Sequence, residues 1–409
     1  MKTSTPVSRR RALGLLGAAP LAMSLRPAVA ATEPVKVGLI VSLSGAFASS
    51  GQLMVDAARL FLETEGREML GGRSVELVLR DDGGNNPELA KRLVQELVTR
   101  DRVRFLGGFG FTPNANAVAP LLNQAKVPCL LFNASASAIT PRSPWFVRTA
   151  FTQWQINQPL GEWAATKRGW RRAYVLVADF APGHEAQEAF TKGFTSQGGE
   201  ILGAVRMPIQ RPDFVPFLLR AKEAKPDVLF VFHPGGVEGS AFLRAYVQSG
   251  LREAGVQLIG TSDLTSEDEL HHTGKLAEGV ITAGQYSLVA DRPANRRFVE
   301  AWRKAYPDSP LRPTYNAVGA WDGMRAICAA IAATDGGADS TAAMRVLSNF
   351  SAESPRGPIS IDPATRDIVQ NVYLREVRPI DNAFGDHYGN VEFDVVPQVK
   401  DPWKAANPG

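Results

Sequence analysis

One local pattern recurs along most of this 409-residue chain: a short apolar run, a turn, then a longer segment with apolar residues at helical spacing. "VKVGLIVSL" (35–43) is apolar almost throughout, as a strand covered on both faces must be. After it, Met54, Ala57, Ala58, Phe61 and Leu62 share one helical face. Runs at 74–82, 103–109 and 128–132 repeat the strand pattern. A helix opened by Pro87, striped with Leu89, Leu93 and Leu97, and another from Thr112 lie between them. The pattern resumes with strands at 172–179, 200–208, 227–233, 256–262 and 279–286, and helices at 184–197, 214–225 and 237–249. Repeated β-α-β units require parallel sheets with helices on both faces. Nine or more strands divide more naturally into two sheets of four to six than into one. Beyond Tyr286 the chain reads as helices at 294–306, 314–334 and 340–348, extended pieces at 357–363 and 370–377, and a tail rich in Pro, Asp and Gly.

The first 30 residues obey different rules. Lys2, Arg9, Arg10 and Arg11 precede an apolar stretch, Ala12–Leu25, that contains Pro20 and is too short to span a bilayer. It ends in Ala28-Val29-Ala30, a small-x-small pattern, so residues 1–30 read as an export signal peptide cut after Ala30. "SRRRAL" (8–13) resembles a twin-arginine signal. Ala12 stands where Phe is usual, which leaves ordinary secretion open. The leader carries five basic side chains (Lys2, Arg9, Arg10, Arg11, Arg26) and no acid, so the formal charge of +4 becomes 4 − 5 = −1 in the mature chain. No basic excess remains to bind nucleic acid.

Cys129 lies in a strand pattern and Cys328 in the Ala-rich helix "MRAICAAIAA", which reads as two separately buried thiols, although an exported protein could pair them. The five histidines show no metal-ligand spacing, and neither metal nor cofactor is expected. His271 and His272 are adjacent, so their rings should diverge on a solvated face.

Enzyme signatures are missing from the sequence. It has no G-x-S-x-G elbow, no phosphate-binding G-x-x-x-x-G-K-[ST], and no G-x-G-x-x-G after a strand: "GGFGF" (107–111) does not complete one. Position is then the guide, since open parallel sheets bind ligands beyond the carboxyl ends of their strands. Those loops are "SGAFASSG" (44–51), "FGFTPN" (109–114), "FNASAS" (132–137), "DFAPGHE" (179–185), "HPGGVE" (233–238) and "TSDLTS" (261–266). Each alone reads as a turn. Together they mix small hydroxyl residues with Phe47, Phe109, Phe111, Phe132 and Phe180, the composition of a small-molecule cleft.

"VKVGLIVSLSGAFASSGQLMVDAARL", "ELVLRDDGGNNPELAKRLVQELV", "DFAPGHEAQEAF" and "SPRGPISIDPATRDIVQNVYLREV" resemble, in this order and spacing, the leucine/isoleucine/valine-binding family of ABC-transporter solute-binding proteins. The resemblance spans about residues 33–380. It implies an α/β fold of two doubly wound parallel-sheet lobes joined by a three-crossing hinge, the type 1 periplasmic binding protein fold. Lobe one would be 31–150 with 284–367, and lobe two 151–283 with 368–409.

In that family, lobe one holds a ligand carboxylate with hydroxyls after its third strand and the backbone of small residues after its fourth. Here those positions are Phe111 and Thr112, then Ala134, Ser135 and Ala136, with Ser137 close by; Phe111 stands near a usual hydroxyl position. Lobe two supplies aromatic contacts and, in amino-acid binders, an acid for the ammonium. Phe180 and Pro182 occupy the first position and Asp263 the second, though Asp263 would also serve as a cap for "DLTSEDEL". Phe47, His233 and Tyr286 are further wall candidates. The resemblance implies a monomeric periplasmic protein that closes on a small hydrophobic carboxylate and docks on ABC permease subunits. An aromatic acid is favoured and an apolar amino acid is the alternative. A ligand sensor and an enzyme on the same scaffold are rivals of another class.

Overall fold

The computed structural model describes residues 1–3, 33–209 and 211–407; the leader proposed at 1–30 therefore falls, from residue 4 onward, outside the described residues. Residues Pro34–Gly409 form one compact unit. Its first sheet contains β1 (Val35–Val41), β2 (Val75–Asp81), β3 (Phe105–Gly108), β4 (Cys129–Leu131) and β5 (Phe146–Arg148). These are connected through α1 (Ala48–Glu63), the short α2 (Glu65–Met69), α3 (Pro87–Thr99) and α4 (Thr112–Ala125). All its pairings are parallel and the order is β2-β1-β3-β4-β5.

The chain crosses into the second sheet through α5 (Gln153–Thr166), whose start is a capping box in which Thr152 and Gln155 satisfy each other's backbone N–H. There follow β6 (Arg172–Ala178), α6 (Ala181–Ser196), β7 (Glu200–Met207), α7 (Val215–Ala224), β8 (Val228–Phe232), α8 (Val237–Gln248), β9 (Gln257–Thr261), α9 (Glu267–Ala277) and β10 (Ile281–Gly284). Next come α10 (Pro293–Ala305), α11 (Tyr315–Ala333), α12 (Ser340–Ser348), β11 (Ser351–Ser354), β12 (Gly357–Ile361), β13 (Ile368–Pro379), β14 (Tyr388–Val399) and α13 (Pro402–Ala406).

Strands β7-β6-β8-β9-β10 form a parallel core of the second sheet. Antiparallel strands β13, β12, β11 and β14 extend it to nine. One apolar cluster joins α1 and α11 on the first sheet to α5 and α6 on the second. The opposite faces are covered separately, by α3 and α4 on the first sheet and by α7, α8 and α9 on the second. Helices on both faces explain why the parallel strands read as unbroken apolar runs.

Two expectations need correction. The region read as a tail rich in Pro, Asp and Gly, with no strand assigned to it, contains β14, a twelve-residue strand on β13. Most of its side chains are at least partly exposed and Pro397 interrupts it, both edge-strand features that blunt the apolar signal. The rings of His271 and His272 do not diverge: their centroids are 3.7 Å apart. Burial and the neighbouring imidazole hold His271 below the ordinary histidine range. Cys129 and Cys328 are free and buried, in β4 and α11.

Candidate ligand site

Strand order reverses between β1 and β3 in the first sheet and between β6 and β8 in the second. Such switch points leave a crevice at the strands' carboxyl ends. A cavity lies where the two crevices meet. Its wall includes Phe47 and Ser50 beyond β1, Gly110–Thr112 beyond β3, Phe180 and Pro182 beyond β6, and Phe232, Pro234 and Gly235 at β8.

In both halves the helix after the switch strand sits unusually close to the strand end. A Cβ on Gly51 in α1 would lie 1.8 Å from the Ser42 carbonyl oxygen, and one on Gly183 in α6 would lie 1.9 Å from that of Ala178. Only glycine permits that approach. Ser50 and Gly51 of α1, Thr112 of α4, Pro182 of α6, and Tyr315 and Asn316 of α11 all belong to first turns and line the cavity. Unsatisfied N–H groups at such helix starts favour an anion. No Lys, Arg or His lines the cavity, so an anion there would rely on dipoles and neutral donors.

The loops of the first half are clipped together by hydrogen bonds. Asp82 accepts from Ser42 Oγ (2.7 Å) and Asn114 Nδ2 (2.8 Å), joining the ends of β1, β2 and β3. Phe109 takes a left-handed φ of 63° and its carbonyl accepts from Ala134 N–H (2.9 Å). Ala136 N–H donates to Thr112 Oγ1 (3.3 Å) and Ser137 N–H to Glu185 Oε2 (2.8 Å) across to α6. Ser135 differs: its hydroxyl accepts from Gln153 Nε2 (2.9 Å), its N–H has no partner among the described residues, and it lines the cavity.

Aromatic rings supply much of the remaining wall. Phe47 and Phe111 meet edge to face at 4.8 Å, Phe180 and Phe232 stack at 5.9 Å, and Phe151 meets Tyr315 edge on at 6.0 Å. The one carboxylate in the wall is Asp263, beyond β9. Tyr315 OH donates to its Oδ1 (2.8 Å) and Thr261 Oγ1 to its Oδ2 (2.8 Å). Burial raises its pKa above the ordinary aspartate value, and the two hydroxyl donors pull it back.

A family model described as periplasmic binding protein matches residues 34–383. The chain belongs to the periplasmic binding proteins. Leu/Ile/Val-binding protein homolog 6 of Brucella abortus is 40% identical to it over 379 residues, 93% of this chain and 96% of the relative. A solved ABC-transporter solute-binding protein of Rhodopseudomonas palustris BisB5, in complex with 3,4-dihydroxybenzoic acid, is 42% identical with a TM-score of 0.85, covering 91% of this chain and 99% of that one. Another from R. palustris, in complex with 4-hydroxybenzoate, is 37% identical with a TM-score of 0.87, covering 92% and 100%. The fold is that of type 1 periplasmic binding proteins, two α/β lobes joined by three crossings.

Among the residues singled out from the sequence of this binding protein, Phe47, Phe111, Thr112, Ser135, Phe180, Pro182 and Asp263 line the cavity. Ala134, Ala136, His233 and Tyr286 do not. Ala134 and Ala136 are buried in the core beneath the loop, and Asn133 and Ser135 face the cavity. Phe232 and Pro234 likewise stand in the wall, and His233 does not. The His233 ring nitrogens instead approach the carbonyls of Pro234 (3.1 Å) and Pro208 (3.4 Å). Tyr286 is a fully buried core residue. The reading of Asp263 as a helix cap also fails, because Ser266 is the N-cap of α9.

Sequence reasoning missed Phe151, Tyr315 and Asn316, which come from the chain crossings and the start of α11, and Ser42, Met54 and Phe232, inside or beside regular elements. The threonine cap at Thr314, just before an apolar helical run, was the available signal for Tyr315 and Asn316.

Proposed function

We propose that this binding protein captures a small aromatic carboxylate between its lobes and delivers it, as a monomer, to ABC permease subunits in the membrane, with no bond made or broken. Lobe one would be residues 31–150 with 284–367 and lobe two 151–283 with 368–409, closing by rotation about the three crossings. The leader at 1–30 would direct the chain to the periplasm.

The composition of the cavity carries this reading. Its wall contains six aromatic rings, neutral hydroxyl donors and the starts of four helices, and no basic side chain. Aromatic surface suits a planar ring, and helix starts with hydroxyls suit a carboxylate without a cationic partner. In this proposal Phe47, Phe111, Phe180 and Pro182 form the apolar wall, and Thr112 and Ser135 hold the carboxylate. The two R. palustris relatives crystallised with hydroxylated benzoates support the ligand class.

A second reading, an apolar amino acid, draws on the Leu/Ile/Val-binding name of the curated relative and on Asp263, which would face the ammonium. The test is a thermal-shift and calorimetric comparison of benzoate, hydroxybenzoates, leucine and phenylalanine on refolded, ligand-free protein. Aromatic acids should raise the melting temperature and the amino acids should not. A shift with leucine alone would replace the aromatic reading with the amino-acid one.

A further inference from the structure

The cavity wall has two chemically opposite ends. From the first half come the hydroxyls of Thr112 and Ser135. Each already accepts a hydrogen bond from protein, Thr112 Oγ1 from Ala136 N–H and Ser135 Oγ from Gln153, so each keeps its own proton to donate. They want an acceptor such as a carboxylate. From the second half comes Asp263, about 8% exposed and open only toward the cavity wall it helps to form. An ionised Asp263 wants a donor and would repel a carboxylate.

Asp263 is also held in place. Tyr315 fixes one oxygen and Thr261 the other, yet an ionised carboxylate accepts about four hydrogen bonds, so capacity remains on both. The group already bound to Oδ1 is a phenol, that of Tyr315. Neutral hydroxyl donors therefore already surround this carboxylate, and a second phenol adds the same chemistry.

We infer that Asp263, positioned by Tyr315 and Thr261, selects for a ring hydroxyl at the end of the ligand remote from its carboxylate, so that hydroxylated aromatic acids bind in preference to unsubstituted ones. The inference rests on the aromatic-acid reading of the cleft. A ligand lacking the hydroxyl leaves buried acceptors unpaired, and that is the stronger form of discrimination.

Titration calorimetry on the ligand-free full chain, with benzoate, 4-hydroxybenzoate and leucine, tests it. Wild type should bind 4-hydroxybenzoate roughly tenfold more tightly than benzoate, the usual scale for a hydrogen bond to a charged group. In Asp263→Asn the ratio of the two affinities should fall toward one, and in Tyr315→Phe, which frees the carboxylate from one anchor, it should fall part of the way. Equal wild-type affinities, or a preference that survives Asp263→Asn, overturn the inference and leave the aromatic-acid reading standing. Binding of neither aromatic acid by wild type overturns that reading itself. Leucine binding that Asp263→Asn abolishes would make Asp263 an ammonium partner and overturn both. Should Asp263→Asn fail to fold, the wild-type ratio and Tyr315→Phe still decide.

Discussion

The loop after β4 and the loop after β9 both follow parallel strands and both carry small polar residues, yet they spend their polar groups differently. In the β4 loop, the N–H groups of Ala134, Ala136 and Ser137 are committed to Phe109, Thr112 and Glu185, and Arg148 Nη2 binds the Ala136 carbonyl (2.7 Å). Ser135, which faces the cavity with Asn133, keeps its hydroxyl proton and its N–H without a partner among the described residues. In the β9 loop the conspicuous group is the Asp263 side chain, steadied by hydroxyls and left facing the cavity. One loop is architecture with a single window; the other is a presented functional group. Residue type and position relative to a strand identify both loops, and only hydrogen-bond accounting separates them.

The largest expected effect comes from removing the architecture. Arg148 is fully buried, binds the carbonyls of Ala136 and Phe151, and lies 2.9 Å from Asp367. Arg148→Met leaves the buried carbonyls of Ala136 and Phe151 without their donor and Asp367 with Lys404 as its remaining cation, a cost of about 1–3 kcal/mol for each unpaired group. Denaturant melts should show a loss of that size. Asp263→Asn, which keeps the shape and most acceptor capacity of the presented group, should move the melt far less. Equal losses would mean that the β9 loop is as structural as the β4 loop.

Ser135→Leu closes the window and leaves the frame. It removes a hydroxyl donor and fills cavity space, so aromatic-acid affinity should fall about 100-fold, the sum of a lost hydrogen bond to a charged group and a steric penalty. The protein should stay folded with a modestly lower denaturant midpoint, because Gln153 Nε2 loses its acceptor at a cost of about 1–3 kcal/mol. Retained affinity in calorimetry would reduce the segment to a turn.

These outcomes bear on what the sequence could disclose. A strand such as β8 is legible because burial on both faces leaves no polar residue to blur it. β14 was illegible because it is an edge with one side in water. At the site, Ser135 and Asp263 were legible as members of strand-end loops. The inward turn of Ala134 and Ala136 was not, because it is set by the bend after β4 and by hydrogen bonds to Phe109 and Thr112, which are distant in sequence. Tyr315 lies 52 residues from Asp263 and meets it only through the chain crossings, a juxtaposition that no local pattern encodes.

The smallest effect concerns how the two halves are held together. Glu185 of α6 accepts from Ser137 N–H in the β4 loop, so this bond spans the lobes. Burial pushes its carboxyl up to about 7; the Ser137 N–H and the Arg148 charge oppose that, and the nearby Asp401 carboxylate adds to it. Asp367 and Lys404, 2.7 Å apart, complete the charged surroundings. If opening exposes Glu185 and returns it to an ordinary value near 4.5, the closed form binds more protons than the open form between those limits. Closure is then fully supported below about 4.5 and loses support as pH rises toward 7, with no further loss above it. Ligand affinity should therefore fall between about pH 4.5 and 7, by roughly tenfold at most once partial solvent screening is allowed for. In Glu185→Gln, which keeps an acceptor for Ser137 and cannot ionise, the profile should flatten. A wild-type profile that is already flat would show that Glu185 stays buried when the lobes part, and would make the β4 loop and α6 a single rigid piece.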